Sequence, residues 1–133
     1  MELTTVITDT VPAVRYEWGA VKWVTNDALF PGSAQSFGVV YIEPGKTNPT
    51  HWHNEAQEIV HMLQGECEVR SSHGRIDLRP GMTLCIPIGM DHELTNTGWE
   101  PAVYVCSFSA SNRGTVFADP EAPGVSPLAA MAY

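Results

Sequence analysis

Residues 45–65, GKTNPTHWHNEAQEIVHMLQG, decide the fold and contain most of the candidate chemistry of the chain. His51 and His53 are separated by one residue, so on an extended strand both imidazoles project from the same face. This spacing is suited to chelating a single ion. Glu58 lies a few residues further on and is the next candidate ligand.

Glu58 begins the apolar run 58–63, EIVHML, which the sequence predicts to be a second strand. Alternation along this strand places Glu58, Val60 and Met62 on one face and His61 on the other. An unpaired carboxylate among apolar residues is costly, and a cation relieves that cost. Glu58 is therefore predicted to face inward with the two histidines, and His61 to be an ordinary surface or core residue, as is His73.

A second segment, residues 81–96, GMTLCIPIGMDHELTN, supplies the fourth candidate ligand. His92 follows the turn 87–89, which contains Pro and Gly, and this rigid turn aims the imidazole at the same point from a facing strand. Three imidazoles and one carboxylate then surround one divalent ion. This donor set suits Fe, Mn, Ni, Co or Zn. An octahedral ion would keep two positions open, which is typical of a catalytic site rather than a structural one.

The rest of the chain shows a period of two in short segments that are rich in β-branched and aromatic residues, at 36–43, 66–70 and 102–108. Turn signals containing Gly or Pro separate these segments, and no segment has the pattern of a long amphipathic helix. The sequence therefore predicts an all-β sandwich or barrel. The tail, 112–133, has weak periodicity and could wrap a neighbouring molecule, cover an edge strand or stay loose.

Composition limits the function classes. The 133 residues fit a single domain, and the formal charge of −8 repels nucleic-acid backbones and acidic membranes. No long apolar segment or secretory leader pattern is visible, so a cytoplasmic location and no membrane partner are expected. The three cysteines, Cys67, Cys85 and Cys106, lack metal-site spacing and are predicted to be buried as small hydrophobes.

The two quoted segments resemble the motifs of the cupin superfamily. The first cupin motif, G(x)5HxH(x)3-4E(x)6G, matches from Gly45 to Gly65, and the second, G(x)5PxG(x)2H(x)3N, matches from Gly81 to Asn96. The resemblance implies a single-domain cupin over 1–133, a double-stranded β-helix or jelly-roll barrel over about 14–110. It also implies one divalent metal ion bound by His51, His53, Glu58 and His92.

Cupins perform many reactions, so the resemblance leaves the activity open. The first hypothesis is a metal-dependent enzyme for a small oxygen-bearing substrate, an enolisable carbonyl compound or a phenol. Glu58 would be a ligand throughout or a base, and Gln57 beside it would form a hydrogen bond to the substrate. Iron would favour dioxygenation, whereas zinc or nickel would favour a redox-neutral lyase, cyclase or isomerase. The predicted pocket residues are Trp52, Gln57, Val60, Met62, Cys106 and Phe108.

Two further hypotheses remain. Segments 37–45, 48–49, 63–68 and 108–109 are similar to small bacterial cupins that include aromatic polyketide cyclases. Those proteins commonly have His-Pro-Asn-Cys-Glu-Glu where residues 53–58 read HNEAQE. Because of this difference, the substrate of those proteins does not carry over directly to this chain. A non-catalytic small-molecule-binding cupin is the third hypothesis. An open sheet edge near 21–24 is predicted to support a homodimer.

Overall fold

The structure is a computed structural model that describes residues 2–122. A short 3-10 helix, Thr8–Thr10, precedes a chain of β-strands. The strands are β1 (Val14–Tyr16), β2 (Gly19–Thr25), β3 (Ser36–Ile42), β4 (His51–His53), β5 (Glu58–Gln64), β6 (Cys67–Ser71), β7 (Gly74–Leu78), β8 (Thr83–Ile86), β9 (Glu93–Asn96), β10 (Ala102–Phe108) and β11 (Thr115–Phe117). None of the helical segments in residues 2–122 has the length and apolar character needed to cross a bilayer.

The strands form two facing layers. One layer is a six-stranded sheet in the order β1-β2-β3-β10-β5-β8. The other layer contains the three-stranded sheet β7-β6-β9 and the two-stranded sheet β11-β4. Two isolated bridges, Thr47–Thr95 and His51–His92, place these two sheets side by side. All named strand pairs are antiparallel. This arrangement confirms the predicted all-β jelly-roll fold.

The space between the layers is filled by the inward faces of the strands, as the alternation predicts. On β5 the residues Glu58, Val60 and Met62 are buried, whereas His61 lies on the outer face and bonds Thr83. On β6 the buried positions are Cys67 and Val69. The period of two therefore decides which side chains reach the interior.

One cysteine prediction is wrong. Cys67 and Cys106 are buried as expected, but Cys85 is exposed. Its neighbours Leu84 and Ile86 point inward from β8, so Cys85 takes the outer face of a strand that lies at the edge of its sheet. An apolar run on an edge strand does not bury both of its faces.

The prediction that the strand near 21–24 is an unpaired sheet edge is also wrong for Val21. β2 lies between β1 and β3, and the register pairs Val14 of the three-residue strand β1 with Val21. The beginning of the tail covers a different edge, since β11 pairs with β4. Residues 123–133 lie outside the described residues.

Candidate metal centre

The two histidines of β4 point into the barrel because they occupy alternate positions on one strand. His51 and His53 are 1 % and 2 % exposed, whereas Trp52 between them is half-buried on the opposite face. The His51 Nδ1–H donates to the carbonyl of Pro49 at 2.7 Å. The His53 Nδ1–H donates to Thr115 Oγ1 of β11 at 3.0 Å. Both rings therefore present Nε2 to the interior.

His92 reaches the same point through main-chain pairing with His51. The His51 N–H donates to the His92 carbonyl at 3.0 Å, and the His92 N–H donates back at 2.9 Å. The His92 Nδ1–H donates to the Met90 carbonyl at 3.0 Å, which leaves its Nε2 directed inward. Glu58 comes from the facing sheet, where it lies between Phe108 of β10 and Ile86 of β8.

The four side chains converge as the sequence predicts. Their ligand atoms all lie within 4.8 Å of one another, and all four residues are buried. Glu58 Oε1 is 3.3 Å from His53 Nε2 and 3.1 Å from His92 Nε2. Despite these short separations, none of these three atoms has a hydrogen-bond partner among the described residues, because the contacts are not aligned as hydrogen bonds.

Buried polar atoms without partners are rare and costly in proteins. Here they are the lone-pair atoms of two imidazoles and a carboxylate, which are the donors that first-row divalent ions accept. The carbonyl acceptors of Pro49 and Met90 also fix the Nδ1–H tautomer of His51 and His92 that a metal ligand requires, and the Thr115 hydroxyl can accept the same proton from His53. The residues present therefore fit a divalent metal ion.

The electrostatics of the cluster agree with this interpretation. Burial, aided by repulsion from His92 and His53, holds the pKa of His51 well below its usual value, so His51 is neutral near pH 7. Burial alone would raise the pKa of Glu58, but the neighbouring imidazoles lower it more strongly, so the carboxylate is ionised. Burial lowers the pKa of His92, and Glu58 reverses this effect. The net effect raises the pKa of His92, so its imidazole binds a proton more readily. A metal ion would compete with this proton for His92 Nε2.

The structure brings only some of the predicted pocket residues to the cluster. The Phe108 ring lies edge-on to the His53 ring, with 4.8 Å between centroids. Val60, Met62 and Cys106 are buried in the packed core beside or below the cluster. The side chain of the exposed Gln57 donates to Cys85 Sγ at 2.9 Å, away from the interior.

Trp52 and Gln57 are therefore not placed with the cluster, and the reason is the same for both. Each is the immediate neighbour of an inward-facing ligand, so the extended chain turns it outward. A strict application of the period of two to residues 51–53 would have predicted this for Trp52.

Sequence reasoning missed a cavity of about 350 Å³ that reaches the cluster at His92. It lies between the β6–β7 hairpin and β8, and its apolar lining comes from Val69, Ile76, Leu84, Ile86 and Met90. Alternation marks several of these residues as inward-facing. That β7 and β8 face each other depends on long-range strand order, which the sequence pattern does not show.

Comparisons with known proteins agree with the fold. Residues 38–108 match the family model described as a cupin domain. The chain is 33 % identical over 114 residues to a Streptomyces cyaneus protein named polyketide synthase CurC, covering 84 % of this chain and 74 % of that protein. It is 35 % identical over 110 residues to oxalate oxidase 1 of Hordeum vulgare, covering 76 % and 52 %.

A solved structure of Bacillus subtilis oxalate decarboxylase, from work on its Mn(II) centres, superposes with a TM-score of 0.73. The identity is 22 %, and the match covers 80 % of this chain and 29 % of that chain, so it supports the fold alone. The chain spans about half the length of the plant relatives it matches, 52 % for the barley oxidase. On the evidence of the matched family model and the relatives above 30 % identity, the chain belongs to the cupin domain family.

Proposed function

We propose that this protein is a divalent-metal-dependent cupin enzyme acting on a small oxygen-bearing organic substrate, an enolisable carbonyl compound or a phenol. The observation that carries the proposal is the buried cluster of His51, His53, Glu58 and His92. Three of its inward-facing atoms have no hydrogen-bond partner within residues 2–122. A carboxylate and imidazoles arranged in this way serve no evident purpose in a core except to hold a cation.

The protein's own groups would orient and shield such an ion. Carbonyl oxygens of Pro49 and Met90 and the hydroxyl of Thr115 hold the imidazoles by their Nδ1–H groups. A divalent ion there would act as a Lewis acid that lowers the pKa of a bound enol or phenol. The buried surroundings exclude water, which strengthens charge interactions at the site. Glu58, ionised within this cluster, is the candidate to accept a substrate proton.

Two reaction classes fit this site. Dioxygenation would place both oxygen atoms of O₂ in the product and needs no other reductant, whereas lyase, cyclase or isomerase chemistry moves only protons and carbon bonds. The similarity to an oxalate oxidase supports an oxygen-dependent reaction. The second candidate is a redox-neutral cyclisation, the reaction of the polyketide cyclases that several segments of this chain resemble. The similarity to a protein named polyketide synthase CurC, over 84 % of this chain, supports a polyketide-like substrate for it. Manganese is the first metal to test beside iron, nickel, cobalt and zinc, since the similar fold of oxalate decarboxylase holds Mn(II) centres.

The test begins with metal analysis of protein purified without chelator. Oxygen consumption is then followed with each reconstituted metal in the presence of catechols and 1,3-diketones, together with product analysis by mass spectrometry. Metal-dependent oxygen uptake supports dioxygenation, and conversion without uptake supports the redox-neutral class. Binding without turnover by any metal form would contradict the enzyme and favour a binding protein.

The matched variants are His92→Ala and His61→Ala. His92 lies in the cluster, whereas His61 is on the outer face of β5 and bonds Thr83. His92→Ala should lose the metal and His61→Ala should keep it. Retention of stoichiometric metal by His92→Ala would refute the ligand set.

We also propose a homodimer formed through the outer face of the six-stranded sheet rather than through β2. Most outward positions of its central strands are apolar, with His61 and Ser107 as the polar exceptions, and none carries a carboxylate, although the chain has a formal charge of −8. Self-repulsion is therefore smallest on this face. These outward residues are Phe37, Val39, Tyr41, Ile59, Leu63, Val103 and Val105.

Val105→Glu at the centre of this face should convert the dimer to a monomer, because it places like charges opposite each other across the two-fold axis. Light scattering at micromolar concentration measures the mass, with Trp99→Glu, an 88 % exposed position outside the sheet, as the control. A monomeric wild-type protein would contradict the proposal.

A further inference from the structure

We propose that the substrate has a predominantly apolar body, which lies in the seam between β7 and β8 while its oxygen atoms reach the metal cluster. This inference rests on the proposed function and narrows its substrate class. It separates this protein from relatives named for oxalate, which is a small and wholly polar dianion.

The seam exists because the two layers of the barrel do not join on this side. Among the described strands, β7 pairs only with β6 and β8 pairs only with β5. On the opposite side of His92 the layer is continuous, through the main-chain bridge to His51. A molecule can therefore approach the cluster through this seam without disrupting strand pairing.

The walls of the seam match an apolar molecule. Val69 and Ile86 are buried at 5 % and 3 % exposure and face the cavity from opposite layers. Leu84 and Met90 extend the same surface, and Ile76 at the rim is 48 % exposed. The volume of about 350 Å³ falls within the range of small-molecule sites. An exposed isoleucine beside an apolar cavity is typical of a surface that a ligand covers.

The seam offers little to a second carboxylate. Its lining contains one Lys or Arg side chain within the described residues, Arg75, and this guanidinium is paired with Glu68 at 3.3 Å. Of the other polar lining residues, Ser71 donates to Asp91 at 3.3 Å and His73 is exposed. A dianion such as oxalate would thus find no unpaired Lys or Arg in the seam and would lie next to the ionised Glu58. A hydrocarbon or aromatic body would instead gain free energy from each part of its surface that the walls remove from water.

The far end of the seam is held in place by Asp91, the residue before His92. Its carboxylate accepts hydrogen bonds from the Ser72 N–H at 2.9 Å and the Ser72 hydroxyl at 2.6 Å. This contact ties the β6–β7 turn to the loop that carries His92. The wall of the seam and the candidate metal ligand His92 are thus connected. The seam is therefore preformed and does not depend on substrate binding for its shape.

The experiment compares three ligands on the Mn(II)-loaded full chain by isothermal titration: 2,4-pentanedione, 1-phenylbutane-1,3-dione and oxalate. Both diketones present the same two oxygens, and only the second carries a ring for the seam. The ring should tighten binding at least about tenfold beyond the ratio measured for the two diketones with free Mn(II). Oxalate should show no comparable preference for the protein-bound ion over the free ion.

Val69→Phe fills the seam from its β6 side and should abolish the gain in affinity that the phenyl ring provides. The affinity for 2,4-pentanedione, which has no ring, should change less than about threefold. Leu84→Phe, at a half-buried position, is the second variant if Val69→Phe does not fold. Val105→Phe on the outer face of β10 is the matched control and should keep the full gain.

Equal affinities for the two diketones, or a gain that survives in both Phe variants of the seam, would overturn the inference while leaving the metal enzyme intact. Tighter relative binding of oxalate than of the phenyl diketone would overturn it in favour of a dicarboxylate substrate. Failure of the protein to hold Mn(II) or any other divalent ion, measured directly by metal analysis, would remove the proposed function and this inference with it.

Discussion

The barrel has a closed side and an open side, and the two differ in how their strands meet. On the closed side, β4 and the segment before β9 exchange main-chain hydrogen bonds through His51 and His92. On the open side, β7 and β8 leave the cavity between them. Strand pairing preorganises the candidate ligands of the cluster, and the missing pairing leaves the cavity that we propose for the substrate. The candidate ligands and the proposed binding space thus occupy opposite sides of His92.

The largest expected contrast, between the packed core and the rim of the open side, is in thiol reactivity. Burial raises the pKa of Cys67 to about 12 and raises that of Cys106 well above its usual value. At pH 8 the thiolate fraction of Cys67 is then about one in ten thousand. Cys85 at the rim of the seam is exposed. A disulfide reagent should therefore modify the Cys85 thiol about a thousandfold faster than the thiols of Cys67 and Cys106.

The measurement is the time course of reagent colour in native protein and in denatured protein, with Cys85→Ser as the control that removes the fast phase. Because burial raises both pKa values, the slow thiols should stay slow until the pH approaches 12 or the protein unfolds. Two or more fast thiols in the native protein would show that the core around Cys67 and Cys106 is accessible to the reagent.

The next largest effect is expected from Glu58→Gln. This change keeps the shape but removes the charge that lies 3.1 Å from His92 Nε2. Metal affinity should fall by at least about a hundredfold, since a neutral amide is a poor ligand for these ions. Competition with a fluorescent chelator measures the affinity, and Glu66→Gln in an exposed turn is the isosteric control. An unchanged affinity would exclude Glu58 as a ligand.

A smaller effect is expected from Thr115→Ala, which removes the hydroxyl that holds His53 Nδ1 at 3.0 Å. Partners of this kind orient a metal ligand, so the affinity should fall about tenfold. Thr95→Ala is the matched control, because it removes a hydroxyl contact, with Thr47, on the same layer but away from the cluster. The comparison fails if both variants lose affinity equally, since that would indicate general loosening of the layer.

The smallest effect is expected from Asp91→Ala on the open side. Loss of the bonds to Ser72 should lower the free energy of unfolding by about 1 kcal/mol, because these bonds are partly exposed. Urea denaturation measures this, and Asp77→Ala on the exposed part of β7 is the control. A loss above about 3 kcal/mol would mean that the seam is as firmly built as the closed side.

Much of the metal centre could be predicted from sequence because its signals are local. The one-residue spacing of His51 and His53, and the inward position of Glu58 in an alternating run, follow from strand geometry alone. The same geometry applied more strictly would have turned Trp52 outward. It would also have put Cys85, which lies between two inward-facing residues, on the surface.

The other features that the sequence did not predict, the short strands β1 and β11 and the seam, were missed for a different reason. β1 and β11 are three residues long and form because partner strands are already present, so neither stands out in the sequence. The seam requires knowledge that the edge strands of two sheets face each other, which comes from strand order across the whole barrel. Signals of this range are not contained in a window of neighbouring residues.

The sequence by itself determined the strand periodicity, the candidate metal ligands and the cupin family, because each depends on the spacing of side chains along an extended chain. Only the tertiary structure decided which thiol is exposed, which edge β11 covers and where a cavity opens beside His92. Those features depend on which distant strands come together, and the free energy of that pairing belongs to the assembled barrel rather than to any single segment.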